Sequence, residues 1–172
     1  MKKNIVLIGF MGSGKSFTGK DLGKKLNRRV LSTDDLVEKK AGKSIAEIFR
    51  DEGEKHFRAL EKEVVAGIVC EEGVVVDCGG GIVLDPENVA ALKKNGVLIY
   101  LRTSPEWVYR RVKGQVKRPL LNVPDPQKKI AELLKEREPA YRQADHTVDT
   151  DAKTWEEVGD EIVALCKNLR LD

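Results

Sequence analysis

The amino-acid sequence predicts a three-layer α/β domain, with a five-stranded parallel sheet flanked by helices on both faces. Three observations carry that prediction. Short β-branched runs alternate with amphipathic helical stretches from end to end, the pattern of strand–helix–strand crossovers. Only 5% of the residues are aromatic, so the core has to be built from Val, Ile, Leu and Ala, as in a sheet buried on both sides. A length of 172 residues suits one domain with a real core and a shaped cleft, because a chain of this size buries roughly two-thirds of the surface it exposes unfolded.

The elements follow in order. Asn4–Ile8 is a continuous apolar run and reads as the first strand, with helical period over Lys15–Leu26 after it. Val30–Ser32 reads as a second strand, and one long helical period covers Ser44–Val69. Gly73 introduces a third strand at Val74–Asp77, which Gly79–Gly81 end. Pro86–Lys94 is helical, Gly96 precedes the strand Val97–Leu101, and Pro105 opens a helix to Lys113. Lys113–Pro126 holds three basic residues, three prolines and no period, so it reads either as a surface loop or as a lid over a ligand. Helical period returns over Pro126–Arg142 and Thr154–Leu169, with a weaker strand at His146–Val148 between them.

Lys and Arg number 31 against 28 Asp and Glu, a net charge of +3 with the signs interspersed. That balance favours small anionic ligands and argues against nucleic acid, which calls for a strongly basic face. Cys70, Cys78 and Cys166 are odd in number and widely spaced, so neither a disulfide framework nor a zinc site is expected, and a reducing cytoplasm fits. The longest apolar runs fall far short of the ~20 residues needed to span a bilayer. Met-Lys-Lys leads straight into a strand without the apolar region of a signal peptide. The expectation is a soluble, unprocessed, cytoplasmic protein with neither nucleic acid nor membrane as partner.

Directly after the first strand stands Gly9-Phe10-Met11-Gly12-Ser13-Gly14-Lys15-Ser16, a complete G-x-x-x-x-G-K-[ST] motif at a strand-to-helix junction. Its glycines let successive N–H groups and the positive end of the following helix face a phosphate. Gly12, Ser13, Gly14, Lys15, Ser16 and the adjoining Phe17 are assigned to a nucleotide, with Lys15 on the β- and γ-phosphates and the Ser16 hydroxyl on Mg²⁺. Such a loop needs a nearby acid for the metal, and Val74-Val75-Val76-Asp77 supplies one at a strand end, with Cys78 as a small filler beside it. Gly79, Gly80 and Gly81 stand at the carboxyl end of that strand, where α/β folds bind ligands; they serve either close approach of backbone to substrate or a flexible turn.

Together GFMGSGKS, GKSIAEIF, HFRALE, the GGG loop, RPLL and REPAYR resemble the shikimate kinase family over nearly the whole chain. The resemblance implies a P-loop kinase fold in a single domain over residues 1–172, with a substrate-binding insert at about 34–62 and a lid at about 113–125. It implies transfer of the γ-phosphoryl of ATP, with Mg²⁺, to the 3-hydroxyl of shikimate, a step toward chorismate and the aromatic amino acids, by a monomer. Arg58 and Arg137 then match the family's carboxylate-binding arginines, and Asp34 the aspartate that bonds the acceptor hydroxyls and takes a proton. Gly79, Gly80 and Gly81 lie against the ring, and Glu61 orients Arg58 from the same helical face. Arg118 in RPLL matches the arginine that closes over both substrates, making Lys15, Asp34 and Arg118 the catalytic set. Counting back from Arg118, Arg111 and not Arg110 falls on the adenine-stacking position, and the turn after Val148, with Trp155, covers the other side of the base. On the residues alone Arg58 and Glu61 could be a solvated pair, Asp34 a helix cap and Trp155 a core residue.

The chain departs from the family at two positions. The family's Asp-x-Asp after the second strand is here Ser32-Thr33-Asp34, and the third strand ends in Asp77 where Ser or Thr is usual. The expectation is that Asp77 takes over the missing acid's role at the metal, beside Ser16. The departure keeps other readings open: a kinase of another small hydroxy acid such as gluconate, or a nucleotide-binding regulatory module. A nucleoside monophosphate acceptor is disfavoured by the scarcity of aromatic or amide residues in Ser44–Glu63. His56 and His146 read as surface residues, since phosphoryl transfer rests on positioning more than on proton relay.

Overall fold

A computed structural model describes residues 3–113 and 123–171. Five strands, β1 (Asn4–Ile8), β2 (Val30–Ser32), β3 (Val75–Asp77), β4 (Gly96–Arg102) and β5 (His146–Asp149), form one sheet in the order β2-β3-β1-β4-β5. Every pairing is parallel, as a β-helix-β chain requires. Period-two alternation splits the apolar residues between the two faces. Val6, Ile8, Val76, Leu98 and Tyr100 point to the larger core, and Ile5, Leu7, Val75, Val97, Ile99 and Leu101 point to the smaller one.

The helices close both faces. α1 (Lys15–Lys25) and α8 (Trp155–Asn168) cover the smaller core through Leu22, Val158, Ile162 and Cys166. The larger core is covered by α2 (Thr33–Ala41), α3 (Ile45–Asp51), α4 (Gly53–Ile68), α5 (Pro86–Asn95), α6 (Pro105–Val112) and α7 (Pro126–Tyr141). Most starts are signalled locally: Ser44 with Glu47 and Thr154 with Glu157 form capping boxes, while Asp85, Ser104 and Asp125 cap helices that begin with Pro.

Three local readings change. The single helix expected over Ser44–Val69 is two, because Gly53 at the joint adopts φ +82°, a left-handed conformation that a continuous helix cannot hold. The helix α2 starts earlier than a cap at Asp34 would allow: its cap is Ser32, whose Oγ accepts from the Asp35 N–H at 3.2 Å, and Asp34 lies inside the first turn. A short 3₁₀ turn at Ile82–Leu84 follows the glycine loop. Among the described residues no helix is long and apolar enough to cross a membrane.

Candidate active site

The site forms where the sheet order reverses. Loops leaving β1 and β3 run to opposite sides of the strand ends, which opens a crevice at the carboxyl edge. A cleft of about 440 Å³ lies there, and its walls include Gly12, Gly14, Lys15, Ser16, Phe17, Asp34, Asp77, Gly79, Gly80, Arg111 and Trp155.

The phosphate loop supplies one wall. Gly14 caps α1 at φ +88° with no side-chain bond to the first turn, leaving those amides to an anion. A methyl group on Gly14 would collide with the Trp155 ring, so glycine is required for both the turn and the packing. The Lys15 ammonium donates to the carbonyls of Gly9 at 2.9 Å and Phe10 at 3.0 Å, which pins it to the inside of the loop.

Ser16 and Asp77 meet across the cleft floor, the Ser16 hydroxyl donating to the Asp77 carboxylate at 2.6 Å. In the sheet, Asp77 is the register partner of Ser32 on β2. Among the described residues there is no group of three or more His, Cys, Asp or Glu side chains that could hold a metal. A hydroxyl and one carboxylate suit Mg²⁺, which keeps waters and takes most remaining ligands from nucleotide phosphates. Burial raises the pKa of Asp77 from its ordinary value, with the Ser16 hydrogen bond opposing the shift. Burial, then the neighbouring Asp77 charge, raises that of Asp34. Burial pushes the Cys78 thiol up as well, so it stays neutral and serves as filler.

The glycine loop passes between the acids and the arginines. The Gly79 N–H donates to Thr33 Oγ1 at 2.8 Å, and a methyl there would strike Asp34 Oδ1. A methyl on Gly81 would reach Arg58 Nη1 at 2.5 Å. Arg58 and Glu61 are no solvated pair: Arg58 Nη1 donates at 2.6 Å to Glu61, which is 1% exposed, while its Nη2 donates at 2.9 Å to the exposed Glu54. Burial raises the Glu61 pKa, with Arg58 opposing it. Arg137 lies over the Phe10 ring, 5.8 Å from its centroid. Arg58, Gly81 and Arg137 thus adjoin the cleft without forming the walls that hold the phosphate loop.

At the other end Arg111, not Arg110, enters the cleft. Its guanidinium donates to Thr150 Oγ1 at 2.9 Å and sits 4.3 Å from the Trp155 ring, while Arg110 rests on Trp107. Trp155 belongs to neither core cluster; it stacks parallel to Phe17 with ring centroids 6.0 Å apart. His56 pairs with Glu52, and neither histidine lines the cleft. Arg118 lies outside the described residues. Sequence reasoning missed Thr33 and Tyr141, whose hydroxyl donates to the Gly80 carbonyl at 2.6 Å; the only local signal for Tyr141 is its place four residues after Arg137 in REPAYR.

The family model for shikimate kinase matches residues 11–167. A shikimate kinase of Caldanaerobacter subterraneus is 50% identical over 161 residues, covering 94% of each chain. Among solved structures, the shikimate kinase of Acinetobacter baumannii in complex with shikimate superposes with a TM-score of 0.92 at 35% identity, covering 99% of this chain and 96% of that one. A gluconokinase of Sinorhizobium meliloti, at 17% identity and a TM-score of 0.64, shares the fold alone. The family model, the curated relative and the superposed structure agree, and the chain belongs to the shikimate kinase family.

Proposed function

We propose that this chain transfers the γ-phosphoryl group of ATP to the 3-hydroxyl of shikimate. The observation that carries the reading is the placing of Asp34 in one cleft with Lys15 and Ser16, beside a glycine loop backed by Arg58. Shikimate offers a carboxylate and three hydroxyls, and the charges of Arg58 and Arg137 suit the carboxylate. Asp34 accepts hydrogen bonds from the acceptor hydroxyls and takes the proton of the attacking one; its raised pKa makes it a better proton acceptor than an ordinary aspartate.

Lys15 and the amides of the phosphate loop hold the β- and γ-phosphates in line with that hydroxyl. Ser16 and Asp77 would hold Mg²⁺, which when bound neutralises charge on the phosphates. Arg111, Trp155 and Phe17 form the platform for the base. Arg118 is assigned the closing cation from its match to the family motif, and the 34–62 segment the substrate-binding insert.

A coupled ADP-release assay with ATP and Mg²⁺, run over shikimate, quinate, gluconate and nucleoside monophosphates, tests the reading. ADP release is expected with shikimate alone or in large excess over the others. Absence of shikimate-dependent release would overturn it, and turnover confined to gluconate would favour the hydroxy-acid alternative.

A further inference from the structure

The two arginines assigned to the acceptor carboxylate are held by opposite means. Arg58 is met by Glu61 and Glu54, so its charge is largely balanced within the protein. Arg137 has no such carboxylate partner among the described residues. Its guanidinium rests on the Phe10 ring and approaches the hydroxyl of Tyr141, one turn later in α7. Its charge is therefore the more fully available to an anion, and its direction depends on neutral neighbours.

Tyr141 is itself fixed. Its side chain is 0% exposed, its ring stacks on Tyr100 at 5.1 Å and 14°, and the Tyr100 hydroxyl is tied to Glu138 at 2.7 Å. The Tyr141 hydroxyl donates to the Gly80 carbonyl at 2.6 Å, 61 positions back along the chain. Because a trans peptide is planar, turning the Gly80 carbonyl toward Tyr141 turns the Gly81 N–H to the opposite side. One buried hydroxyl thus touches both the helix that carries Arg137 and the loop assigned to the acceptor ring. Burial pushes its pKa up to about 12, so it remains a donor throughout the working range.

We propose that Tyr141 is a positioning residue that locks the Gly79–Gly81 loop to the Arg137 helix, so that the ring and carboxylate sites for the acceptor are assembled before it binds. This rests on the assignment of Arg137 and the glycine loop to shikimate. The hydroxyl touches no substrate; it acts through Gly80 and Arg137.

Tyr141→Phe keeps the ring and its stacking and removes only the hydroxyl. The expected result is a KM for shikimate raised about tenfold, with kcat reduced less than threefold and the KM for ATP within twofold of the parent. Arg137→Lys combined with Tyr141→Phe should raise the shikimate KM by less than the product of the two single effects, since part of the Tyr141 effect runs through Arg137 and part through Gly80. Tyr100→Phe removes the hydroxyl of the stacked partner, which contacts Glu138 and not the loop, and should leave the shikimate KM within twofold. A shikimate KM unchanged in Tyr141→Phe, or a fall in kcat with both KM values raised alike, overturns the proposal. Failure of the parent to turn over shikimate at all would instead defeat the functional reading on which it rests.

Discussion

The Ser16 hydroxyl donates to the Asp77 carboxylate at 2.6 Å, joining the first turn of α1 to the last residue of β3. Asp77 is also the register partner of Ser32, the position from which the family's first acid usually extends. The proposed exchange moves one carboxylate between neighbouring strand ends that face the same cleft. Asp77→Asn keeps the shape and removes the charge, and the Mg²⁺ concentration for half-maximal rate should rise about tenfold or more, roughly 1.4 kcal/mol. Ser32→Ala should leave that concentration within about twofold, but it removes the cap of α2, which costs about 1 kcal/mol of stability. Ser32→Asp with Asp77→Ser should bring the Mg²⁺ requirement back toward the parent. Magnesium titrations at fixed ATP with melting curves separate these effects, and equal small shifts in both single variants would sink the exchange.

What was legible in the sequence divides along physical lines. The five strands and the phosphate loop are written in contiguous residues, so periodicity and glycine spacing find them. The break at Gly53 is not, because apolar spacing continues across it and only the backbone conformation reveals the joint. The helix α2 is harder to read for another reason: only Thr33 and Val37 of its nine residues are buried, with Leu36 and Ala41 partly buried beside them, a narrow stripe on a short helix, although acids first and lysines last are a helix signature. Glu61 looks like any surface acid until α4 is packed, when it becomes 1% exposed. The bond from Tyr141 to Gly80 joins residues 61 apart and has no local trace.

The glycine loop separates two effects. A methyl on Gly79 meets Asp34 Oδ1, and one on Gly81 meets the Arg58 guanidinium; both obstacles are ends of side chains that can swing away. The fold should therefore survive either Gly→Ala change while the displaced group loses its aim. Gly79→Ala should lower kcat about tenfold or more if Asp34 is the proton acceptor as proposed. Gly81→Ala should mainly raise the KM for shikimate. Steady-state kinetics on both variants check this, and identical kcat and KM profiles would contradict the division of roles.

The aromatic end of the cleft should answer to nucleotide alone. Trp155 stacks with Phe17 and lies 4.3 Å from the Arg111 guanidinium, so it both extends the platform and fixes the cation. Trp155→Ala should raise the KM for ATP about fivefold or more, in keeping with a stacking contribution of ~1 kcal/mol or above. The KM for shikimate should stay within twofold. Isothermal titration with ADP provides the check, and unchanged ADP affinity would remove Trp155 from the base site.

Asp34 should cost the fold stability at neutral pH. Burial, reinforced by Asp77, raises its pKa above that of an unfolded aspartate, about 3.9. The native state then holds the proton more tightly than the unfolded state does. Its stabilising effect is fully present below the unfolded pKa and is lost as pH rises through the folded one. Asp34→Asn removes the buried charge, so with nucleotide absent and EDTA present this variant should melt higher than the parent at pH 7. The gap should close as the pH falls through the raised Asp34 pKa, because the parent's carboxyl becomes neutral there too. Activity should move the other way, falling about a hundredfold or more, since asparagine cannot take the proton of the attacking hydroxyl. Glu61→Gln supplies the contrast. Burial raises the Glu61 pKa too, but Glu61 is paired with Arg58, and neutralising it leaves that guanidinium to Glu54 alone; the melting temperature should fall. Melting curves from pH 4 to 8 decide the matter, and an Asp34→Asn variant less stable than the parent at pH 7 would show that the Asp34 charge supports the fold instead of straining it.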